Sequence, residues 1–567
     1  MQAISIIGFS FILFACGTAQ QESPDIADKI FIGANIISMD ESSIDAVAII
    51  GEHIAATGKA EDILKMRGPQ TSVVELGERA LLPGFIDAHG HLAMTSRLLD
   101  YINLSSPPVG PVETIDDIVQ LLKQHIKEQK VAPGTWVVGY GYDDSLLAEK
   151  RHPNRDDLDL ASTEHPIFLQ HVSGHLAAAN SAALTAANIT ATTVDPKGGV
   201  IRRRENSTTP NGVLEETASL VFRGILAANF DESRFKEQLR EAIDLHTGFG
   251  ITTVQDGAST LADVKIMRAE AQRESFKVDL VAYPSLNLLS DELAMSIESE
   301  DNYNGGFRVG GVKFWLDGSP QGRTAYLSQP YTQGPPGADA DYRAYPTYKP
   351  QDFARRAANL IQRGVPVLAH ANGDAAIDVM IDGVAAALDG KPVPDHRSVI
   401  IHAQLMREDQ LDKVKALGIV PSYFSAHTFF WGDWHRQSFG EQRASQISPI
   451  RSTIDRGIPF TLHNDAPIVP PDIMRLIDVT VNRTTRSGYV LGPEQRATVM
   501  EALHAVTLGA AYQYFEEDEK GSITPGKQAD LVILGANPLS VEKNSIKEIP
   551  IIETIARGRT VFRRGHQ

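Results

Sequence analysis

The sequence predicts an α/β protein: a (β/α)8 barrel of the TIM type, a composite β-sandwich drawn from both ends of the chain, and a large insertion subdomain. Three features of the 567-residue chain predict it. Apolar strand-like runs alternate with helical stretches through the middle. Both ends read instead as short strands punctuated by glycine. One gap between runs is far too long for a single crossover.

The middle runs cover residues 80–87, 251–256, 278–283, 309–316, 365–370, 398–402, 419–423 and 458–463. Helical patterns lie between many of them, as at 351–363, 375–388 and 407–417. Eight β-then-α units predict a closed parallel barrel with its helices outside, here over 81–515. The stretch from about 96 to 229 separates the first run from the second and is the expected insertion, placed over the barrel mouth. At the N-terminal end, 30–39, 45–50 and 53–57 read as strands, with Gly51 and Gly58 as turns. At the C-terminal end, 529–534 and a strand pair within 553–564 around Gly558 have the same texture. Neither end buries a core alone, so 28–80 and 516–567 are expected to join as one sandwich.

Hydrophobic residues make up 42% of the chain and charged residues 22%, which excludes global disorder. The net charge of -18 and the lack of a long basic run exclude nucleic acid as a partner. Cys16 is the single cysteine, so no intrachain disulfide forms. It closes a short apolar run over 4–15, the length of a signal-peptide core rather than a membrane span. Residues 1–16 resemble a lipoprotein signal, although Phe14 is bulky for that motif and no Lys or Arg precedes the run. Residues 17–27 then form a polar tether. The expectation is an exported protein, periplasmic or membrane-anchored through a lipidated Cys16, with no other membrane contact.

In a barrel of this kind the chemistry sits at the C-terminal ends of the strands. The first run ends in Asp87-Ala88-His89-Gly90-His91. Residues two apart on an extended segment point the same way, so both imidazoles can bind one ion; the alternative is a pair of solvated turn histidines. The fourth run holds Lys313 between Val312 and Phe314. Burial favours a neutral amine, which can react with carbon dioxide to give an anionic carbamate; alternatively, only its stem is buried and its head reaches the mouth. The fifth and sixth runs end in His370 and His402, each of which alone reads equally as a hydrogen-bonded core histidine. The eighth ends in His463-Asn464-Asp465. Asp465 is placed to ligate a metal and accept a proton, or to cap a helix or turn. His463 lies closer to the strand interior, as a group behind the ligands. Taken together the set supplies nitrogen and oxygen donors without cysteine, which suits one or two divalent ions, zinc first and manganese, iron or cobalt also.

These motifs resemble the amidohydrolase superfamily, in the branch called amidohydrolase family 3. The resemblance is carried by Leu82-Pro83-Gly84-Phe85-Ile86-Asp87-Ala88-His89-Gly90-His91, Gly311-Val312-Lys313-Phe314-Trp315-Leu316-Asp317-Gly318-Ser319 and Ala369-His370-Ala371-Asn372-Gly373-Asp374. Ile401-His402-Ala403-Gln404, Asn464-Asp465-Ala466-Pro467 and the run from Gly521 to Val532 extend it over nearly the whole chain. It implies a binuclear site: His89, His91 and Asp465 on one metal, His370 and His402 on the other, and carboxylated Lys313 between them. It implies Asp465 as proton shuttle and hydrolysis of a small-molecule amide by metal-activated water, without a covalent intermediate.

Within the insertion, Ser173-Gly174-His175 resembles a family segment that reaches the substrate, which gives His175 a substrate-polarising role. Arg323 has the fork to bind a substrate carboxylate, or serves as a scaffold ion pair. His427, Phe429, Phe430, Trp431 and Trp434 fall on the loop expected after the seventh strand. They would form an apolar pocket wall, with Trp431 against the substrate, or pack on the insertion. Esters and lactones fit the same machinery as amides. An isomerase or decarboxylase on this scaffold, a ligand-binding lipoprotein without turnover, and a homo-oligomer are the remaining expectations.

Overall fold

Short apolar segments line up in parallel, as the alternation of runs and helices requires. The computed structural model describes residues 26–40, 43–174, 176–196, 199–228, 230–287, 289–335, 337–390 and 394–565. In it, Phe85–Ile86, Ile251–Ser259, Asp279–Pro284 and Phe307–Val309 form one parallel sheet in that spatial order. Val312–Trp315, Val367–Ala371, Val399–His402, Val420–Tyr423 and Thr461–Leu462 form a second. A parallel bridge between Ser285 and Lys313 joins the two. These strands are buried on both faces, which is why they read as continuous apolar runs rather than as alternating patterns. Helices Pro350–Gln362, Asp374–Leu388 and Glu408–Leu417 stand between consecutive strands of the second sheet.

Two runs differ from expectation. The segment 80–87 is not one strand. Ala80–Pro83 pairs antiparallel with Leu531–Leu534, and only Phe85–Ile86 joins the parallel sheet. Gly84 is the pivot: its N–H donates to Asp530 O at 2.8 Å. The fourth run breaks at Gly310-Gly311, between Phe307–Val309 and Val312–Trp315. A Cβ on Gly311 would stand 2.3 Å from the Pro366 carbonyl oxygen, so the backbones approach too closely for a side chain.

Thr461–Leu462 and Phe85–Ile86, the outermost parallel strands, are linked by Gln513. Its Oε1 accepts from Thr461 Oγ1 at 2.8 Å, and its Nε2 donates to Ala88 O at 2.8 Å.

The chain ends form two four-stranded sheets. One orders His53–Gly58, Ala46–Ile50, Ala27–Ile32 and Arg67–Glu75; the other Arg559–Arg563, Ile551–Ala556, Leu531–Leu534 and Ala80–Pro83. Phe31, Val47 and Ile49 from the first share a buried cluster with Leu81, Leu531 and Ile555 from the second. A six-stranded sheet lies between Ile102 and Glu216, with buried clusters on both faces. Cys16 and most of the tether, as well as His175, fall outside the described residues. Among the described residues no helix is long and apolar enough to cross a membrane.

A buried ionic knot ties the C-terminal segment to the start of the Asp279–Pro284 strand. Lys520 pairs with Asp279 and lies 3.1 Å from Glu516, and Arg557 reaches Asp279 at 2.5 Å. Lys520 and Asp279 are both buried. Removing one partner strands the other charge out of water. Lys520→Met is therefore expected to lower unfolding free energy by about 3–5 kcal/mol, measured by denaturant titration.

Candidate metal centre

The strands Phe85–Ile86 and Thr461–Leu462 end in segments that hydrogen-bond to each other: His91 N–H donates to Ala466 O at 2.7 Å, and Asp465 N–H donates to His89 O at 3.2 Å. Asp465 Oδ1 then lies 3.1 Å from His91 Nε2 and 3.5 Å from His89 Nε2. Asp465 itself holds a left-handed backbone conformation, φ +58°, which is uncommon for a residue with a side chain and is kept only where neighbours over-determine it. Gly90 is required here, because a Cβ would stand 2.5 Å from Asp87 Oδ2.

His89, His402 and His370 each use one nitrogen on an outer protein partner and turn the other inward. His89 Nδ1 is 2.5 Å from Gln255 Oε1, so Nδ1 carries the proton and Nε2 presents its lone pair. Gln255 is itself fixed, donating to Ala88 O at 2.8 Å and to Tyr514 Oη at 2.7 Å. His402 Nδ1 is 3.1 Å from His463 Nε2, and His463 Nδ1 is 2.8 Å from Ser422 Oγ. His370 Nε2 is 3.0 Å from Gly318 O. That leaves His402 Nε2 and His370 Nδ1 facing each other at 3.1 Å. His402 also has a left-handed backbone, φ +75°. Burial holds the His89, His402 and His463 imidazoles well below their usual pKa, so they stay neutral.

Lys313 is fully buried, and its Nζ lies 2.8 Å from His89 Nε2. Burial pulls its amine down to about 7, with Asp465 the opposing influence.

These donors fit a divalent cation. Tetrahedral ligands at the usual zinc distances stand about 3.4 Å apart, and the spacings of 3.1 and 3.5 Å around Asp465 and 3.1 Å between His370 and His402 bracket that value. Asp465 Oδ1 is buried yet makes no hydrogen bond. An uncompensated carboxylate oxygen among inward lone pairs is what a cation would satisfy.

The structure thus brings His89, His91, Lys313, His370, His402 and Asp465 together. Trp431 is placed differently from Arg323. Its indole N–H donates to Asp143 Oδ2 at 3.0 Å, joining the segment around 427–439 to the end of the six-stranded sheet. Arg323 Nε and Nη1 bond to Ser438 Oγ and Gly334 O, not to a carboxylate. The expected aromatic loop is a helix, His427–Phe439. The spacing of His427, Trp431, His435 and Phe439 by four residues puts them on one helical face, a period masked by the aromatics in between. Asp143, Asp144 and His171 also cluster, but their atoms are already paired. His171 Nε2 meets Asp144 Oδ1 at 3.0 Å, and Ser145 and Trp431 hold Asp143.

Sequence reasoning missed Gln255, Ser422 and Tyr514. Gln255 had a signal, as a polar residue inside the apolar run 251–256. Tyr514 had none, since it arrives from 259 residues away. Partners of this kind typically contribute about 10–100-fold to metal affinity. His463→Phe and Gln255→Leu are each expected to weaken binding by that factor in competition with a chromophoric chelator, without changing the folded far-ultraviolet dichroism.

Comparison with known proteins places the chain in a family. Residues 72–562 match the model of the amidohydrolase family. The N-substituted formamide deformylase of Arthrobacter pascens is 28% identical over 546 residues, covering 94% of this chain and 97% of that one. The crystal structure of an uncharacterized metal-dependent hydrolase from Pyrococcus furiosus superposes with a TM-score of 0.70 at 25% identity, over 90% of this chain and 100% of that one. One from Pyrococcus horikoshii OT3, at 22% identity and a TM-score of 0.71 over 91% of this chain and 99% of that one, shares the fold. A match spanning most of the chain shows that this protein belongs to the amidohydrolase family.

Proposed function

We propose that this chain hydrolyses a carbon–nitrogen bond of a small amide with water activated at a divalent metal site, zinc being the ion that the donor set suits best. The observation that carries the reading is the buried, unbonded Asp465 Oδ1 among the inward nitrogens of His89 and His91. His89, His91 and Asp465 would hold one ion and His370 and His402 a second, with Lys313, as a carbamate, between them. When bound, the metal acidifies water toward neutrality and polarises a carbonyl.

The remaining steps belong to the chain. Asp465 Oδ2 makes no hydrogen bond among the described residues and takes the proton from the attacking water. The carboxyl group then returns that proton to the departing nitrogen, so one side chain acts as base and then as acid. Gln255 and the His463–Ser422 pair hold the imidazoles in the tautomers that keep their lone pairs inward. His175 is proposed to donate to the carbonyl oxygen as it gains charge. We further propose that the two parallel sheets close as a barrel and that the two terminal sheets pack as one sandwich, on the strength of the Gln513 link and the shared cluster.

The test is metal content with turnover on a panel of N-acyl and N-formyl amides. About two ions per wild-type chain, with a sharp fall in Lys313→Ala, supports the bridged centre. One ion, unchanged by that substitution, makes the lysine structural. Asp465→Asn is expected to lower kcat by at least about 10²–10⁴-fold, the usual contribution of a positioned acid–base group. Wild-type protein that takes up no transition metal under replete conditions would overturn the reading.

A further inference from the structure

The loop leaving the Lys313 strand carries a buried cationic donor with one arm unused. Arg323 is 7% exposed. Its Nε donates to Ser438 Oγ at 3.2 Å and its Nη1 to Gly334 O at 2.9 Å. The guanidinium carbon lies 4.3 Å from the centre of the Trp434 ring. The Trp434 indole N–H donates to Gln321 O at 3.1 Å, so the ring is fixed in turn. These contacts set the plane of the fork and leave Nη2 buried without a hydrogen bond. Buried donors on a charged group are rarely left unpaired, because nothing replaces the water they lost.

No carboxylate of the described residues compensates Arg323 directly. The carboxylate whose charge it feels most is Asp144. Asp144 Oδ1 already accepts from His171 Nε2 at 3.0 Å, and its Oδ2 lies 3.6 Å from His152 Nε2. Arg323 also has φ +55°, a left-handed conformation uncommon outside glycine, which it shares with other residues including His402 and Asp465. Side chains held this way cluster at ligand sites, where the surrounding structure over-determines them.

The loop is also tied to the metal centre. Gly318 O faces His370 Nε2 at 3.0 Å. The Asp317 carboxylate accepts from Asn372 N and Gly373 N, just past His370, at 3.0 and 2.8 Å, and from Tyr326 N at 3.0 Å. The turn bearing Arg323 and the turn bearing His370 are therefore one hydrogen-bonded piece.

We propose that Arg323 Nη2 is the donor of an anion subsite, and that the substrate carries a carboxylate in addition to the scissile carbon–nitrogen bond, as an N-acyl amino acid does. The substrate class rests on the amide-hydrolase reading above. A planar guanidinium with a free terminal nitrogen suits a carboxylate, and the charge makes the bond stronger than one to a neutral acceptor. Stacking on Trp434 holds the donor in place before the ligand arrives, so little ordering remains to be done on binding.

The probes are ketone isosteres of N-acetylglycine, N-acetylleucine and N-acetylphenylalanine, in which CH2 replaces the amide NH so that no cleavage occurs. Each is titrated as the acid and as its carboxamide into metal-loaded wild type, Arg323→Met and Arg323→Lys by calorimetry. In wild type at least one acid is expected to bind about tenfold tighter than its carboxamide, or more. That ratio is expected to fall to near one in Arg323→Met and to an intermediate value in Arg323→Lys, which keeps the charge but loses the fork. Equal affinities of acid and carboxamide in wild type, or a preference that survives Arg323→Met at unchanged melting temperature, would sink the subsite. Acetate binding as tightly as the acids would mark a free-anion site only and would overturn it equally. Should Arg323→Met fail to fold, an undiminished ratio in Arg323→Lys overturns the proposal and a reduced one supports it. Wild-type cleavage of the parent N-acetyl amino acids and of their neutral carboxamides is measured alongside. Cleavage without acid preference removes the subsite alone, whereas acid preference without any cleavage removes the hydrolase reading alone.

Discussion

Two backbone hydrogen bonds hold the metal centre in register: His91 N–H to Ala466 O and Asp465 N–H to His89 O. They join segments that leave the first and last parallel strands, which are remote in sequence. Without them Asp465 would share no geometry with the His89 and His91 pair. The left-handed conformation of Asp465 is the local cost of making that turn and placing its carboxylate between the imidazoles. Gln513 reinforces the same junction from below, spanning Thr461 and Ala88.

Given that junction, the chemistry depends on which nitrogen of each histidine faces inward. A neutral imidazole has one donor and one acceptor, and the protein settles the choice by supplying a partner on the outer side. The Gln255 carbonyl does this for His89, the Gly318 carbonyl for His370, and the His463–Ser422 pair for His402. Burial works in the same direction, since it holds these rings neutral and so keeps the inner lone pairs available. The same burial would be unfavourable for Lys313 as an ammonium ion, which is why its amine is drawn down to about 7.

The sequence made the inward-facing residues legible because each sits where an apolar run ends, and a polar residue there has few structural reasons to exist. His89, His91, His370, His402 and Asp465 all carry that mark, and Lys313 stands out inside its run. The outer partners were less visible. Gln255 interrupts an apolar run and was readable in principle, but Ser422 is small and ordinary, and Tyr514 reaches His89 only through Gln255. The parallel strands were found with their order, yet 80–87 read as one strand because both of its halves are apolar. Their assignment to different sheets depends on the turn at Gly84, which hydrophobicity does not encode. The helix His427–Phe439 was read as a loop because its aromatics fall on several faces between polar residues, which blurs the helical period.

Stability and chemistry are placed at opposite ends of the parallel strands. The Lys520–Asp279–Arg557 knot lies at the start of the Asp279–Pro284 strand and fastens the C-terminal segment there. The metal donors lie where strands end. A charged cluster that must stay fully paired and a cluster that must keep lone pairs and a carboxylate oxygen unpaired impose contrary demands on their surroundings. Distance along the strand separates them, so the long cationic side chains of Lys520 and Arg557 cannot reach in and satisfy Asp465. Trp431 is paired with Asp143 and His171 with Asp144. Arg323 is a cation held by neutral acceptors and an aromatic face, with one donor left over. A site otherwise arranged to leave acceptors for a cation has there left a donor for an anion. A ligand with a polarisable carbonyl and a carboxylate would satisfy both.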